Sequence, residues 1–456
     1  MTTNTEKRRK KLNFIFDKNS NKDEFRASNL IKACQLFNGD WKEGRETFFD
    51  GDTFRAVYDI IVHEVDGLDT FTSDFGNEDG ECWVFVLHWL RPYLVQPHMV
   101  DVIEHLHKLQ DHSREPGNNR NIAILADYGH ESHIPGSMGR RFLEEYPHYD
   151  PSRYLHSNIS LDNQNVGAVN PQYEQESRPG DQFEVTVPSL HYVTGVLAEI
   201  DKNRPVKLKE QIATYNKKNI DPAVLFQPMF KYLIPNRIGR ASRRQLIVSL
   251  DDRGLLQDTE WSMVHPDGQP DLPWEYNDEY KKRFGTRPVT MSRPFEGWSG
   301  PRASGSPDQG IPDDLARSAI CYVATETYPT YFDNDDPTKP LNFPLDNSKP
   351  FCVLDASEKS FKPFIYGLIP FIYGRAGLVD KWRELGMWLP GDYGNEECHI
   401  DRMEAMIDAM EEFTTNNLPI TVETVNRIIG NHRLSLTLDF HQKLSRPLFN
   451  AIAHNY

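Results

Sequence analysis

Residues 228–254 read PMFKYLIPNRIGRASRRQLIVSLDDRG. FKYLI has the composition of a short buried strand, a very basic turn follows, and RRQLIVSLDDRG reads as a helix stopped by Gly254. Strand, polar turn and helix in succession are the building unit of an α/β sheet. The turn carries Asn236, Arg237, Arg240, Arg243 and Arg244, four arginines within eight residues. Arginine presents a planar, permanently charged fork that matches phosphate oxygens. A helix amino terminus adds its dipole and its unpaired N–H groups. Phosphate binding is one reading of this segment; a solvated helix cap with surface arginines is the other.

The same pattern recurs on either side. Ile122–Ala126 is a short apolar strand that ends in Asp127 and a turn glycine, Gly129. A strand of this kind followed by a polar loop is how an α/β sheet presents chemistry at its carboxyl edge. EVTV (184–187), HYVTG (191–195), SAICYVATET (318–327) and PFCVLD (350–355) are further strand candidates. HIDRMEAMIDAMEEFTTNN (399–417) reads as an amphipathic helix. Before residue 115 the reading is different. ECWVFVLHWLRPYLVQPHMVDVIEHLHKLQ (81–110) carries apolar residues at helical spacing, broken by Pro92 and Pro97, so this region is expected to be mainly helical. HSREPGNNR (112–120) marks a boundary. The expected organisation is a helical extension over 1–115, a Rossmann-like domain over 116–227, a second over 228–445, and a tail over 446–456. The Pro-, Gly- and Asp-rich segment 265–315 reads as a long irregular excursion, a length that implies packing on a site.

Bulk properties narrow the function. The chain has 456 residues, enough for two or three domains, and a formal net charge of -16. A field of that sign repels nucleic-acid backbones, so DNA is an unfavoured partner. No apolar run reaches the roughly 18 residues of a membrane span. The basic start, MTTNTEKRRKKLNFIF, lacks the apolar region and cleavage site of a secretory signal and reads as a frayed terminus or a localisation signal. Cys34, Cys82, Cys321, Cys352 and Cys398 are scattered and form no CxxC pair. That set argues against a disulfide framework or a zinc ribbon, and a cytoplasmic setting fits best.

Three more constellations carry candidate chemistry. SEKSFKPFIYGLIPFIYG (357–374) places Glu358 and Lys359 at the head of an apolar segment. The carboxylate can accept sugar or ribose hydroxyls, and the lysine can neutralise a diphosphate. Equally, Ser357 can cap a helix with Glu358 in its first turn. His130-Glu131-Ser132-His133 lacks the HExxH spacing of a metal site, and either Glu131 or His130 suits a general base. Glu326, in Thr325-Glu326-Thr327 at a strand end, is either a hydroxyl-binding residue or a surface one. No GxxxxGK(S/T), GxGxxG or GxSxG element is present in a context that supports it.

Taken in order, these islands resemble phage and bacterial glycosyltransferase-like proteins related at a distance to the α1,3-fucosyltransferases. The resemblance rests on the His-Glu-Ser after a strand, the N-R-x-x-R-x-x-R segment, the strand ending T-E-T, and Ser357-Glu358-Lys359 through Pro363 with Pro370-Phe371 downstream. The stretch GLVDKWRELGMWLPGDYGNEECHIDRMEAM is also similar to that group. It departs from the group at Ser242, where His is usual, and at Gly239, where Pro is common. The resemblance covers about residues 115–410. It implies a GT-B architecture, two Rossmann-like domains with the nucleotide-sugar donor held mainly by the C-terminal one. It implies sugar transfer from a nucleotide-diphosphate sugar to a glycan or other hydroxyl acceptor, with no metal or other cofactor, in the cytoplasm (of the host if the protein is viral). Asn236, Arg237, Arg240, Arg243, Glu326, Glu358 and Lys359 would then bind the donor. Lys359 would also neutralise the leaving group, and Glu131 or His130 would serve as base. A non-catalytic glycan- or nucleotide-binding protein on the same scaffold, and a transferase acting on modified DNA bases, remain alternatives at this level.

Overall fold

The computed structural model describes residues 10–18, 58–71, 81–88, 97–116, 121–127, 153–158, 185–188, 230–265, 275–289, 319–326, 356, 358–396, 398–417, 420–435, 440 and 452. The chain divides into two compact units. Met1–Thr194, Ser348–Val353 and His441–Tyr456 form the first; Gly195–Asn347 and Leu354–Phe440 form the second. Each unit holds one parallel sheet with helices, so the fold is α/β with two Rossmann-like sheets.

The first sheet contains β1 (Lys10–Asp17), β2 (Tyr58–Val65), β3 (Glu81–His88), β4 (Asn121–Asp127), β5 (Tyr154–Asn158) and β6 (Val185–Pro188), in the spatial order β2-β1-β3-β4-β5-β6. Every pairing is parallel. Side chains alternate between two buried faces, as a strand's two-residue period requires. Ile15, Phe85, Leu87, Ile122 and Ile124 pack on Ile103 and Leu106 of helix α1 (Pro97–Ser113). Leu12, Phe14, Val84, Val86, Ala123 and Leu125 form the opposite face, which also buries Ile452 from the far end of the chain.

The expectation of a mainly helical region up to residue 115 is corrected here: its described residues contribute three strands, one α-helix and a single 3-10 turn at Leu68–Thr70. Lys10 and Lys11 of the basic start belong to β1, a strand inside the sheet, while residues 1–9 lie outside the described residues. ECWVFVLH reads equally well as helix because it is apolar on both sides. A strand covered on both faces carries no alternation to distinguish it.

The second sheet has the order β10-β9-β7-β8, again wholly parallel. Its strands are β7 (Phe230–Ile238), β8 (Thr259–His265), β9 (Ala319–Thr325) and β10 (Ile369–Tyr373). Its described α-helices are α2 (Ala241–Asp252), α3 (Glu275–Phe284), α4 (Glu358–Tyr366), α5 (Leu378–Glu384), α6 (His399–Asn417) and α7 (Val422–Ser435). The strand–turn–helix over 230–252 matches the sequence reading. Gly254 ends α2 at φ 70, with Gly254 N–H bonded to Asp251 O and Leu255 N–H to Leu250 O at 2.9 Å each. This is a Schellman closure, and Gly367 ends α4 in the same way, through Leu368 N–H to Pro363 O at 2.8 Å.

β10 contains Pro370, which has no N–H to give a ladder. The sheet order resolves this, because β10 is an edge strand. Residues 275–284 fold as α3 within the stretch expected to be irregular. Its Arg283 bonds Glu279, Asp251 and Asp252, tying α3 to the end of α2. The candidates HYVTG and PFCVLD lie outside the described residues.

A cluster of rings fixes α4 and α5. Trp382 of α5 has no exposed surface and meets Phe361 at 4.7 Å and Phe364 at 5.0 Å, ring centre to ring centre. Arg253, at the end of α2, bonds Glu404, Asp408 and Glu411 along one face of α6. Tyr232 of β7 donates to Met410 O at 3.1 Å and shares a 2.8 Å bond with Thr414. These contacts hold the helices whose amino ends bound the site described next. Among the described residues no helix is long and apolar enough to cross a membrane.

Candidate functional site

In the second sheet β7 lies between its sequence neighbour β8 and the later strand β9. The strand order therefore reverses between β7 and β9. In open parallel sheets that reversal opens a crevice at the carboxyl ends of the two strands, because the connections leave to opposite sides. Leu233 pairs with Tyr322, and Tyr373 with Thr325. The β7–β9 pairing ends at Leu233 and Tyr322, while β7 runs on beside β8 through Asn236 and Thr325 closes β9 opposite Tyr373 of β10.

The residues singled out from the sequence gather at this edge. Arg240 is the N-cap of α2, and its carbonyl accepts the N–H groups of Arg243 and Arg244 at 3.0 Å each. Arg243 and Arg244 are buried, so a surface-cap reading does not hold for them. Arg243 donates from Nη2 to Thr325 O at 3.3 Å, which joins α2 to the end of β9. Arg240 is half-buried. Asn236 is buried, and its carbonyl accepts the Ser262 hydroxyl at 2.9 Å, which links β7 to β8.

Glu326 follows Thr325 directly and is also buried, so the surface alternative is excluded for it too. Its N–H bonds Tyr373 O at 2.9 Å, continuing the β9–β10 ladder by one residue. Its carboxylate accepts the Ser360 hydroxyl from the first turn of α4. Lys359, the residue before Ser360, is half-buried. SEKSFKPFIY thus supplies the amino end of a helix at the same sheet edge, and the apolar remainder forms the helix body and β10.

Glycine gives close packing at position 374. A Cβ there would lie 2.5 Å from Leu378 Cδ2 and 3.5 Å from Glu326 Cγ. The conflict is with the Leu378 methyl, while the approach to Glu326 is an ordinary contact. Arg402 of α6 holds the turn from the other side, donating from Nε to Gly374 O at 3.0 Å and from Nη1 to Glu396 O. Burial lowers the Arg402 pKa. Burial, with Arg402 nearby, takes His399 down to about 4, so that imidazole is neutral at ordinary pH. Tyr373 donates to His399 O at 3.2 Å, and burial raises its own pKa.

Sequence reasoning missed several members of this edge. Arg375 and Arg402 are buried there together with Arg243, Arg244 and Glu326. In the sequence they look like ordinary helix-surface or loop charges. Only the sheet order shows that their positions converge. Gln245, in the second turn of α2, is fully buried, and neither of its amide atoms has a hydrogen-bond partner among the described residues. Some of the predicted residues lie outside this description: His130 and Glu131 entirely, and Arg237 and Glu358 with their side chains.

No protein-family model and no curated protein matches the chain. The chemistry of the edge therefore stands on its geometry. Helix amino ends, buried guanidinium groups, an accessible lysine and one fixed carboxylate meet at a strand-order reversal. Such a set suits a ligand with phosphate at one part and hydroxyls at another.

Proposed function

We propose that the protein is a glycosyltransferase that moves a sugar from a nucleotide-diphosphate sugar to an acceptor hydroxyl without a metal. The observation that carries this reading is the convergence of Asn236, Arg240, Arg243, Glu326 and Lys359 on one carboxyl sheet edge. These residues come from three separate segments of the chain, and each stands out in the sequence as a candidate for donor binding. Arg240 and Lys359, the accessible cations, receive the diphosphate. Arg243 anchors α2 to β9 behind them. Glu326, fixed by Ser360, accepts donor hydroxyls, and Glu358 is assigned the same task.

In the reaction, the bond between the anomeric carbon and the β-phosphate oxygen breaks and the acceptor oxygen bonds that carbon. The acceptor proton passes to a base, assigned to Glu131 or His130. Charge accumulates on the departing diphosphate, and fixed cations and helix amino ends stabilise it most as it forms. A GT-B pairing of the two units belongs to this proposal.

A thermal-shift screen of UDP- and GDP-sugars tests it, since a ligand that binds only the folded chain raises the melting temperature. At least one should protect the wild type, with protection reduced in Lys359→Ala and Arg240→Ala. The protecting donor should then support transfer to a hydroxyl acceptor, and a Lys359→Ala enzyme with near-normal turnover would refute the assignment. Protection without any transfer or donor hydrolysis would mark a binding protein on the same scaffold.

A further inference from the structure

Thr325 and Glu326 are consecutive, so their side chains leave β9 on opposite faces of the sheet. Glu326 meets Ser360 of α4 on one face. The other face is the one that Tyr232 presents to Met410 and Thr414 of α6. Tyr232 pairs with Cys321, and an even step of four residues leads from them to Asn236 and Thr325. Both side chains therefore point to the α6 side. So does Tyr373, opposite Thr325 in β10, whose hydroxyl reaches His399 O at the start of α6. Helix α2 lies on this side too, tied to α6 through Arg253 and to the end of β9 through Arg243.

Two buried side chains here are unmet. Asn236 and Thr325 are 3% and 2% exposed, and neither Asn236 Nδ2 nor Thr325 Oγ1 has a hydrogen-bond partner among the described residues. Native folds leave few such atoms, and a crevice at a strand-order reversal is where a parallel sheet receives its ligand. What surrounds them is donors. Asn236 offers an amide N–H and Thr325 a hydroxyl, and the guanidinium groups of Arg243 and Arg244, buried in the first turn of α2, cannot accept. The N–H groups of Ala241 and Ser242 precede the bonds of Arg243 and Arg244 to Arg240 O, and have no acceptor within α2. Three carboxylates are close in sequence. Glu326 is on the opposite face, Glu396 takes Gly394 N–H at 2.9 Å, and Asp401 is exposed. Donors and positive charge together select an oxyanion over a hydroxyl, which needs an acceptor for its own proton.

We infer that Asn236 and Thr325, with the amino end of α2, seat one phosphate group on the α6 side of the β7/β9 crevice. The assignment deepens the preceding proposal and rests on it for the identity of the phosphate's carrier. One phosphate of the donor lies here, and the other lies toward Lys359 of α4, across the sheet edge.

Thr325→Val keeps the shape and removes the hydroxyl. Asn236→Asp keeps the shape and puts negative charge where the anion is assigned. Wild type and variants are titrated with inorganic pyrophosphate, UDP and GDP, and with uridine and guanosine as ligands without phosphate. The wild type is expected to bind pyrophosphate and at least one nucleoside diphosphate. Thr325→Val should weaken both about 10- to 100-fold, the loss of one hydrogen bond to a charged group. Asn236→Asp should weaken both by more, since two negative charges then meet in a buried place, and should leave nucleoside affinity unchanged.

Asn236→Asp binding equal to or tighter than wild type marks a ligand hydroxyl at this position and overturns the inference. Wild-type affinity in Thr325→Val does the same. So does a ligand-free Thr325→Val protein that melts several degrees lower, since the hydroxyl would then serve the fold. The two readings fail separately. Pyrophosphate binding that both variants weaken, without sugar transfer from any UDP- or GDP-sugar, removes the transferase and keeps the phosphate seat. Sugar transfer that both variants leave intact does the reverse. A wild type that binds neither pyrophosphate nor a nucleoside diphosphate overturns the inference.

Discussion

Replacing Gly374 by alanine tests the close packing that presents Glu326. The φ of Gly374 lies outside the left-handed region, so alanine incurs no backbone strain. The cost is steric. The new Cβ would stand 2.5 Å from Leu378 Cδ2, against an ordinary carbon–carbon contact of about 3.5–4.0 Å. One or both groups must therefore move by about 1 Å. Leu378 has no exposed surface and Trp382 and Val379 beside it are equally buried, so its methyl has little room to turn away. Overpacking of this kind costs about 1–3 kcal/mol, and the lower freedom of alanine in the unfolded chain returns about 0.4–1 kcal/mol. The expected net loss is about 1–2 kcal/mol, read as a lower urea midpoint at unchanged slope. Leu378→Ala alone should cost about 2–5 kcal/mol by opening a cavity. In the double variant the alanine methyl enters that cavity, so the combined loss should fall short of the sum by about 1 kcal/mol or more. A Gly374→Ala protein as stable as wild type, or strict additivity in the double variant, would refute the geometry at this turn.

Tyr232→Phe removes a buried hydroxyl that bridges Met410 O and Thr414, and should lower stability by about 1 kcal/mol in the same urea assay. Asn431→Ala should cost about 2 kcal/mol, because one side-chain amide bonds both Trp388 N and Trp388 O at 2.7 Å; a loss below about 0.5 kcal/mol would discount that clamp. His432 is buried with Nδ1 2.8 Å from Ile365 O, and burial lowers its pKa from 6.5 to about 4. Above pH 6.5 folded and unfolded chains are both neutral there and stability is complete. As pH falls from 6.5 to 4 the unfolded chain takes up a proton the fold refuses, and roughly 3 kcal/mol is lost. His432→Gln should flatten the stability–pH curve over that interval relative to the wild type, and parallel curves would count against a neutral buried imidazole.

Much of the second unit was legible in the sequence. β7, α2, β9 and α6 announced themselves by short apolar runs, a basic turn, a stop glycine and a helical period. The hydrophobic pattern was less informative wherever an element is buried on both faces. CWVFVL (82–87) is apolar throughout, and only pairing with β1 and β4 makes it a strand. β10 was hidden by Pro370, which argues against a strand until the sheet order puts it at the edge. α3 was masked by its charged composition within a proline- and glycine-rich stretch. Arg240, Arg243, Glu326 and Lys359 were legible as candidates because charged residues beside strand ends are conspicuous. Thr325, Gln245 and Ser360 were not, since a small polar residue acquires meaning only from its burial and its unmet or shared bonds.

The first unit is assembled from distant parts of the chain. Its sheet begins at Lys10, yet the face built by Leu12, Phe14 and Val84 is closed in part by Ile452. During synthesis from the amino end, the β1–β3 core must wait for more than three hundred further residues before that contact can form. The second unit, whose strands and helices are all complete by Phe440, can reach its final packing first. Of the two units, the one that holds β1 is therefore the later to be finished. Removing Ile452 by substitution should leave the second unit folded while exposing apolar surface on the first.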